Sequence, residues 1–235
     1  DIYIHEAVEK VKETSKNDTI TMFGWCIGGN LTLLYTSLYQ KNIKNLVCLT
    51  TPGKPSDKGI LWIWSEEEIA HINKLVDSIG NIPGKLIRYG VMSLYPYREL
   101  KKNAIFYDNI ENKIFLHHYA YAEKWMNDNI DFPGQVFKQY IKDVVQSDTF
   151  VEGEMVINGR KADLSNITCS FLNLAGEEDN IVPVESTEYI NEKVSSKDKE
   201  YRLIPGGHVG LAFDPRTIMY RPNITSWISE RSTKI

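Results

Sequence analysis

A cysteine flanked by glycines, Gly24-Trp25-Cys26-Ile27-Gly28-Gly29, stands where a short apolar run ending at Gly24 gives way to a stretch of helical periodicity that continues past Tyr35. A chain that turns from strand to helix within two or three residues forces the residue at the turn into a strained backbone conformation. Glycines on either side relieve the contacts that side chains would make there. The turn points the thiol of Cys26 out above the sheet. The positive end of the following helix favours a thiolate and polarises the backbone amide of Ile27 as a donor to a developing oxyanion. The competing reading is a buried structural cysteine in a glycine-bearing turn, so further motifs have to decide.

The rest of the chain sets the frame for that turn. Ile43 to Thr50 is a second apolar run, closed by Pro52-Gly53. Ile167 to Ala175 is an almost wholly strand-like run leading into Gly176, and a helix is expected from about Val184 to Val194, with Pro183 in its first turn. Lys199 to Ile204 reads as a strand ending at Pro205-Gly206-Gly207, and the last helix as about Ile218 to Arg231. Alternating strand and helix imply an α/β fold with a mainly parallel sheet. From about Lys54 to Lys161 the pattern changes to long helical segments with many aromatics, among them Trp62, Trp64, Tyr89, Tyr95, Tyr97 and Trp125, and no strand is expected there. The simplest architecture is a core built from residues 1–53 and 162–235, interrupted by a helical cap insertion at 54–161.

With 235 residues, 42% hydrophobic and 25% charged, the chain has the composition of one large globular domain carrying an elaboration. A net charge of -4 gives no overall pull toward nucleic acid or an anionic membrane. No stretch reaches the roughly 18 consecutive apolar residues of a membrane span, and the first residues lack the basic and apolar regions of a signal peptide. Three cysteines, Cys26, Cys48 and Cys169, without zinc-type spacing fit a reducing compartment, and the expected location is cytoplasmic.

Two further motifs favour the reactive reading of Cys26. Asp179 follows a strand in Leu174-Ala-Gly-Glu-Glu-Asp179-Asn-Ile-Val-Pro183, and His208 follows the next in Ile204-Pro-Gly-Gly-His208-Val-Gly210. Nucleophile, acid and base thus occur in that order, each just past a strand end. In this reading His208 takes the thiol proton and later activates the attacking hydroxyl or water, while Asp179 fixes the tautomer of His208 and stabilises its imidazolium. Glu177 and Glu178 are better placed than Asp179 to cap the following helix. Cys48 and Cys169 lie in apolar runs and read as core. His117 and His118 are adjacent on a helix, point in different directions and have no acidic partner at ligand spacing, so no metal is assigned.

These residues resemble the catalytic domain of polyhydroxyalkanoate synthases, a family of the α/β-hydrolase superfamily. The resemblance rests on the Gly24 to Gly29 box, Leu49-Thr-Thr-Pro52, Trp125-Met-Asn-Asp128 with Phe132-Pro-Gly-Gln135, the loop from Ala175 to Pro183, Gly206-Gly-His-Val-Gly210 and Trp227-Ile-Ser-Glu-Arg231. It implies an α/β-hydrolase fold and an acyltransferase that polymerises (R)-3-hydroxyacyl units from coenzyme A thioesters. Cys26 would carry the growing polyester chain as a thioester, and coenzyme A would be a product. No cofactor is implied; expected partners are a second synthase subunit or a second copy in a homodimer, and the surface of a polymer granule. The chain departs from the family at Tyr220-Arg221-Pro222, where an aromatic Tyr-Trp-Pro is frequent. The strands that family members carry upstream of the nucleophile, with the loop for a second oxyanion amide, are not in this sequence, so a fragment of the fold with an exposed sheet edge is expected. Rival readings are a cysteine hydrolase resembling dienelactone hydrolase, which shares the glycine-flanked cysteine but is compact and uncapped, and a catalytically silent subunit.

Overall fold

The computed structural model describes residues 2–54, 56, 59, 61, 66, 71–94, 96–213 and 221–232. Helix α1 (Ile2–Ser15) leads into β1 (Ile20–Trp25), α2 (Ile27–Leu38) and β2 (Ile43–Leu49). A helical stretch follows: α3 (Ile72–Ile79), α4 (Gly84–Leu94), α5 (Pro96–Asp108), α6 (Lys113–Asn127) and α7 (Gly134–Tyr140), which runs on into a π-helical turn, Ile141–Val145. The strand and helix alternation resumes after the short strands β3 (Val156–Ile157) and β4 (Arg160–Lys161) with β5 (Ser170–Gly176), α8 (Val184–Lys193), β6 (Lys199–Ile204), α9 (Gly210–Phe213) and α10 (Arg221–Arg231).

Four strands form one parallel sheet in the order β1-β2-β5-β6. Parallel strands joined by crossovers are covered on both faces, which is why β2 and β5 read as nearly continuous apolar runs. On one face Leu33, Leu46, Phe171 and Ile190 pack with Phe150, Leu164 and Ile167; on the other Val47, Leu172, Leu174 and Ile204 pack under Trp227. Each such side chain contributes about 1.5–3 kcal/mol by leaving water. Trp227 fixes α10 to the sheet: its indole N–H donates to Glu200 at 2.8 Å, and Arg231 lies over its ring at 4.3 Å while bonding Asp198 at 2.7 Å. The helical stretch has a small core of its own, of Val76, Ile82, Phe137, Ile141 and Val145. Among the described residues β1 is an outer strand, and Phe23 on it is half exposed.

One expectation fails within 54–161. Two strands do form there: Val156–Ile157 pairs antiparallel with Arg160–Lys161. The turn between them is Asn158-Gly159, with φ of 49° and 75°. Positive φ at both central residues is the geometry that an Asn-Gly pair favours in a tight hairpin. Trp62, Trp64 and Tyr95, the expected start of the last helix at 218–220, and Tyr220 of the departing segment lie outside the described residues.

Candidate active site

The registers Trp25 with Leu49, Leu49 with Leu174 and Gly176 with Ile204 align the carboxyl ends of the four strands. Cys26 follows β1, Asp179 follows β5 and His208 follows β6, so parallel topology alone delivers all three to one edge, where open α/β sheets bind their ligands.

Cys26 has φ 54° and ψ -123°, the strained conformation expected of a sharp strand-to-helix turn. Its N–H still pairs with Leu49 O at 2.9 Å, and its carbonyl accepts from Gly29 at 2.8 Å, so the sheet holds one side of the residue and the helix the other. Ile27, the first helical residue, has an N–H without a hydrogen-bond partner among the described residues. The glycines divide the steric work unevenly. A Cβ on Gly24 would lie 2.5 Å from Thr32 Oγ1 and 2.6 Å from Gly28 O, and one on Gly29 would lie 1.8 Å from Thr51 Oγ1. A Cβ on Gly28 would meet nothing within 4 Å, so packing does not require that glycine, contrary to the sequence reading.

Asp179 is 6% exposed and uses both carboxylate oxygens. Oδ1 accepts from the N–H groups of Ile181 and Val182, both at 2.9 Å, which folds the loop around the carboxylate. Oδ2 lies 2.7 Å from His208 Nδ1. Glu177 and Glu178 are exposed and do not cap α8: its N-cap is Pro183, with no side-chain cap bond. The two loops are stitched together by Glu177 N–H to Ile204 O at 3.0 Å and Glu178 N–H to Gly206 O at 3.1 Å. Gly176 permits that approach, because a Cβ there would stand 2.7 Å from Gly206 O.

The Cys26 side chain also acts on the His208 ring, raising its affinity for a proton. With Nδ1 turned to Asp179, Nε2 is the nitrogen left for the sulfur. Burial pulls the imidazolium down, but the hydrogen bond of Asp179 and then the Cys26 side chain, with the charges of both, outweigh it and hold His208 up at about 10. The other thiols are buried core groups. Burial pushes Cys48 up to about 12 and raises Cys169 as well.

The sequence alone favours a core role for the aromatics of 54–161 over a place along an acyl channel, yet one of them, Trp125, stands beside this site. Trp25 stacks on Trp125 of α6 at 5.2 Å between ring centroids, Phe213 lies 5.2 Å from Trp125, and the His208 ring is 6.0 Å from Trp25. Neither tryptophan advertises the other locally; only the fold brings them together. His117 packs edge-on against Tyr121 at 4.6 Å. Among the described residues no cluster of three or more His, Cys, Asp or Glu is placed to hold a metal ion, and no helix is long and apolar enough to cross a membrane.

The chain is 31% identical over 235 residues to the poly(3-hydroxyalkanoate) polymerase subunit PhaC of Haloarcula marismortui, covering 98% of itself and 49% of that protein. It is 31% identical to the subunit of the same name from Allochromatium vinosum, covering 97% of itself and 65% of that protein. The chain therefore spans about half to two thirds of the length of these relatives. Among solved structures, the BpoC protein of Mycobacterium tuberculosis superposes with a TM-score of 0.57 over 96% of this chain and 72% of its own at 12% identity, a likeness of fold alone. With the alpha/beta hydrolase fold model matching residues 1–215, the chain belongs to the alpha/beta hydrolase family, and its sequence is similar to the PhaC subunits of poly(3-hydroxyalkanoate) polymerase.

Proposed function

We propose that Cys26, His208 and Asp179 form the acyl-transfer centre of a polyhydroxyalkanoate synthase acting on (R)-3-hydroxyacyl coenzyme A. The observation that carries the reading is the 2.7 Å hydrogen bond between Asp179 Oδ2 and His208 Nδ1, on a ring whose affinity for a proton the Cys26 side chain also raises. In the first half-reaction His208, kept protonated at neutral pH by its raised value, holds at Nε2 the proton taken from Cys26 while the thiolate sulfur attacks the thioester carbonyl. The Ile27 N–H meets the oxyanion, and the tetrahedral intermediate collapses to acyl-Cys26 while coenzyme A leaves with the proton from His208. In the second half-reaction His208 takes the proton of a 3-hydroxyl group as its oxygen attacks the acyl-Cys26 carbonyl. An ester bond forms and the thiol is regenerated. Asp179 holds the imidazole in the tautomer with its proton on Nδ1 throughout.

No cofactor enters this scheme; coenzyme A arrives with the substrate and departs as product. The helical stretch acts as the cap, excluding water so that a hydroxyl intercepts the acyl group, and the stack of Trp125 on Trp25 supports that placement. A second synthase subunit or second copy, and the polymer surface, are the partners this reading expects. The test supplies 3-hydroxybutyryl coenzyme A and measures released thiol and polymer mass in parallel. Thiol release with ester-linked polymer is the expected result. Release with only free 3-hydroxybutyrate would assign the site to a cysteine hydrolase instead.

A further inference from the structure

Tyr140 is a part-buried phenol that the scheme above leaves unused. It is the last residue of α7 before the π-helical turn Ile141–Val145. Such turns are rare, sacrifice regular hydrogen bonding and recur at functional sites. The Tyr140 hydroxyl donates to Asn30 Oδ1 at 3.1 Å, and Asn30 Nδ2 donates to the carbonyl of Pro52 at 2.6 Å. A carbonyl oxygen only accepts, so the amide nitrogen of Asn30 must face Pro52, and Asn30 Oδ1 must face Tyr140. The Tyr140 proton is therefore committed to Asn30. In every other direction the phenol oxygen presents only lone pairs.

The position of this oxygen matters as much as its polarity. Asn30 is one helical turn beyond Cys26, 1% exposed, and its own N–H reaches Cys26 O at 3.4 Å. Burial, and after it the charge of Cys26, push the Tyr140 phenol well above its usual value, so it stays neutral. A neutral acceptor held by Asn30, whose own N–H reaches the Cys26 carbonyl, matches a hydroxyl donor on an acyl group and offers nothing to a plain acyl chain.

We propose that Tyr140 Oη is a specificity-determining acceptor that takes a hydrogen bond from the hydroxyl of a hydroxyacyl group carried at Cys26. The inference rests on the acyl-transfer reading and adds to it a residue that selects hydroxylated thioesters. A site built to pair with a hydroxyl rejects the analogue lacking it, because the buried acceptor is then left unsatisfied.

The experiment measures coenzyme A release by the purified protein joined to the upstream strands of its fold, from 3-hydroxybutyryl, 3-methoxybutyryl and butyryl coenzyme A, with mass analysis of Cys26 acylation. The wild type should prefer the hydroxyl compound by about ten- to a hundredfold, and the methoxy compound, which cannot donate, should behave like butyryl. Tyr140→Phe should lose that preference, its rate on the hydroxyl substrate falling by about the same factor while its rate on butyryl stays within about twofold. An equal loss on all three substrates would reduce Tyr140 to a structural anchor, and no loss on any would remove it from the site; either overturns the inference. The wild-type series decides the matter even if the variant folds poorly, since equal rates on hydroxyl and methoxy substrates refute it. No thiol release and no Cys26 adduct with any of the three would instead refute the acyl-transfer reading, and this inference with it.

Discussion

Replacing Asp179 with asparagine changes one heavy atom and should stop the chemistry through the proton on His208. Oδ1 of Asp179 accepts two backbone N–H groups, both at 2.9 Å, and Oδ2 faces His208 Nδ1 at 2.7 Å. In the variant the amide oxygen must stay with the two backbone donors, because an NH2 there would face N–H against N–H. The amide nitrogen is then forced toward His208 Nδ1, which has to accept. Neutral His208 consequently carries its proton on Nε2, the nitrogen beside Cys26, and can no longer take one from the thiol. In the serine-protease template of this argument the same exchange costs about ten-thousandfold in kcat. Here the expected loss of acylation rate is about a thousand- to ten-thousandfold, or about 4–5.5 kcal/mol of transition-state stabilisation. The assay is single-turnover thiol release from 3-hydroxybutyryl coenzyme A.

Stability supplies a second readout of the same exchange. His208 lies up at about 10 although burial opposes its charge, because the hydrogen bond of Asp179 leads the contributions that hold it there. A folded value raised above the unfolded one stabilises fully below about pH 6.5 and fades as pH rises through about 10. The melting-temperature gap between wild type and Asp179→Asn should therefore be widest near pH 6 and close toward alkaline pH. Acylation retained within about tenfold, or a gap that widens with pH, would refute the reasoning.

Two further outcomes follow from the same geometry. Iodoacetamide should alkylate Cys26 before Cys48 and Cys169 in the native protein, since burial raises both core thiols and Cys48 lies at about 12; peptide mass mapping reads the order, and first labelling of either core thiol would count against the site. Gly29→Ala should lower stability by about 1–3 kcal/mol in thermal melts, because its Cβ would stand 1.8 Å from Thr51 Oγ1, whereas Gly28→Ala, with nothing within 4 Å, should fold nearly as well as the wild type; the reverse order would show that the turn is packed differently.

What the sequence made legible was local in origin. Cys26, Asp179 and His208 could be placed because each follows an apolar run closed by glycine or loop residues, and a parallel sheet carries such ends to one edge without further instruction. The hairpin at Val156–Ile157 and Arg160–Lys161 escaped because two residues per strand cannot show an alternation, although Asn158-Gly159 marks its turn. The even treatment of the glycines failed for another reason: Thr51, which makes Gly29 obligatory, belongs to the loop after β2 and is brought to the elbow only by strand pairing.

The least legible contacts are those that reach the turn around Cys26 from the helical stretch. Trp125 and Tyr140 both come from the helical stretch, and both meet the turn around Cys26 across long gaps in sequence, one through ring stacking on Trp25 and the other through the amide of Asn30. No periodicity within α6 or α7 could reveal a partner on β1 or α2. Yet the two contacts differ in kind, since the indole pair offers apolar surface while the phenol offers a fixed acceptor. A 3-hydroxyacyl group has the same two faces, a hydrocarbon chain and one hydroxyl. In the proposed reading, the strand ends supply a nucleophile, acid and base that would serve many acyl groups, and the helical stretch would supply surfaces matched to one class of them.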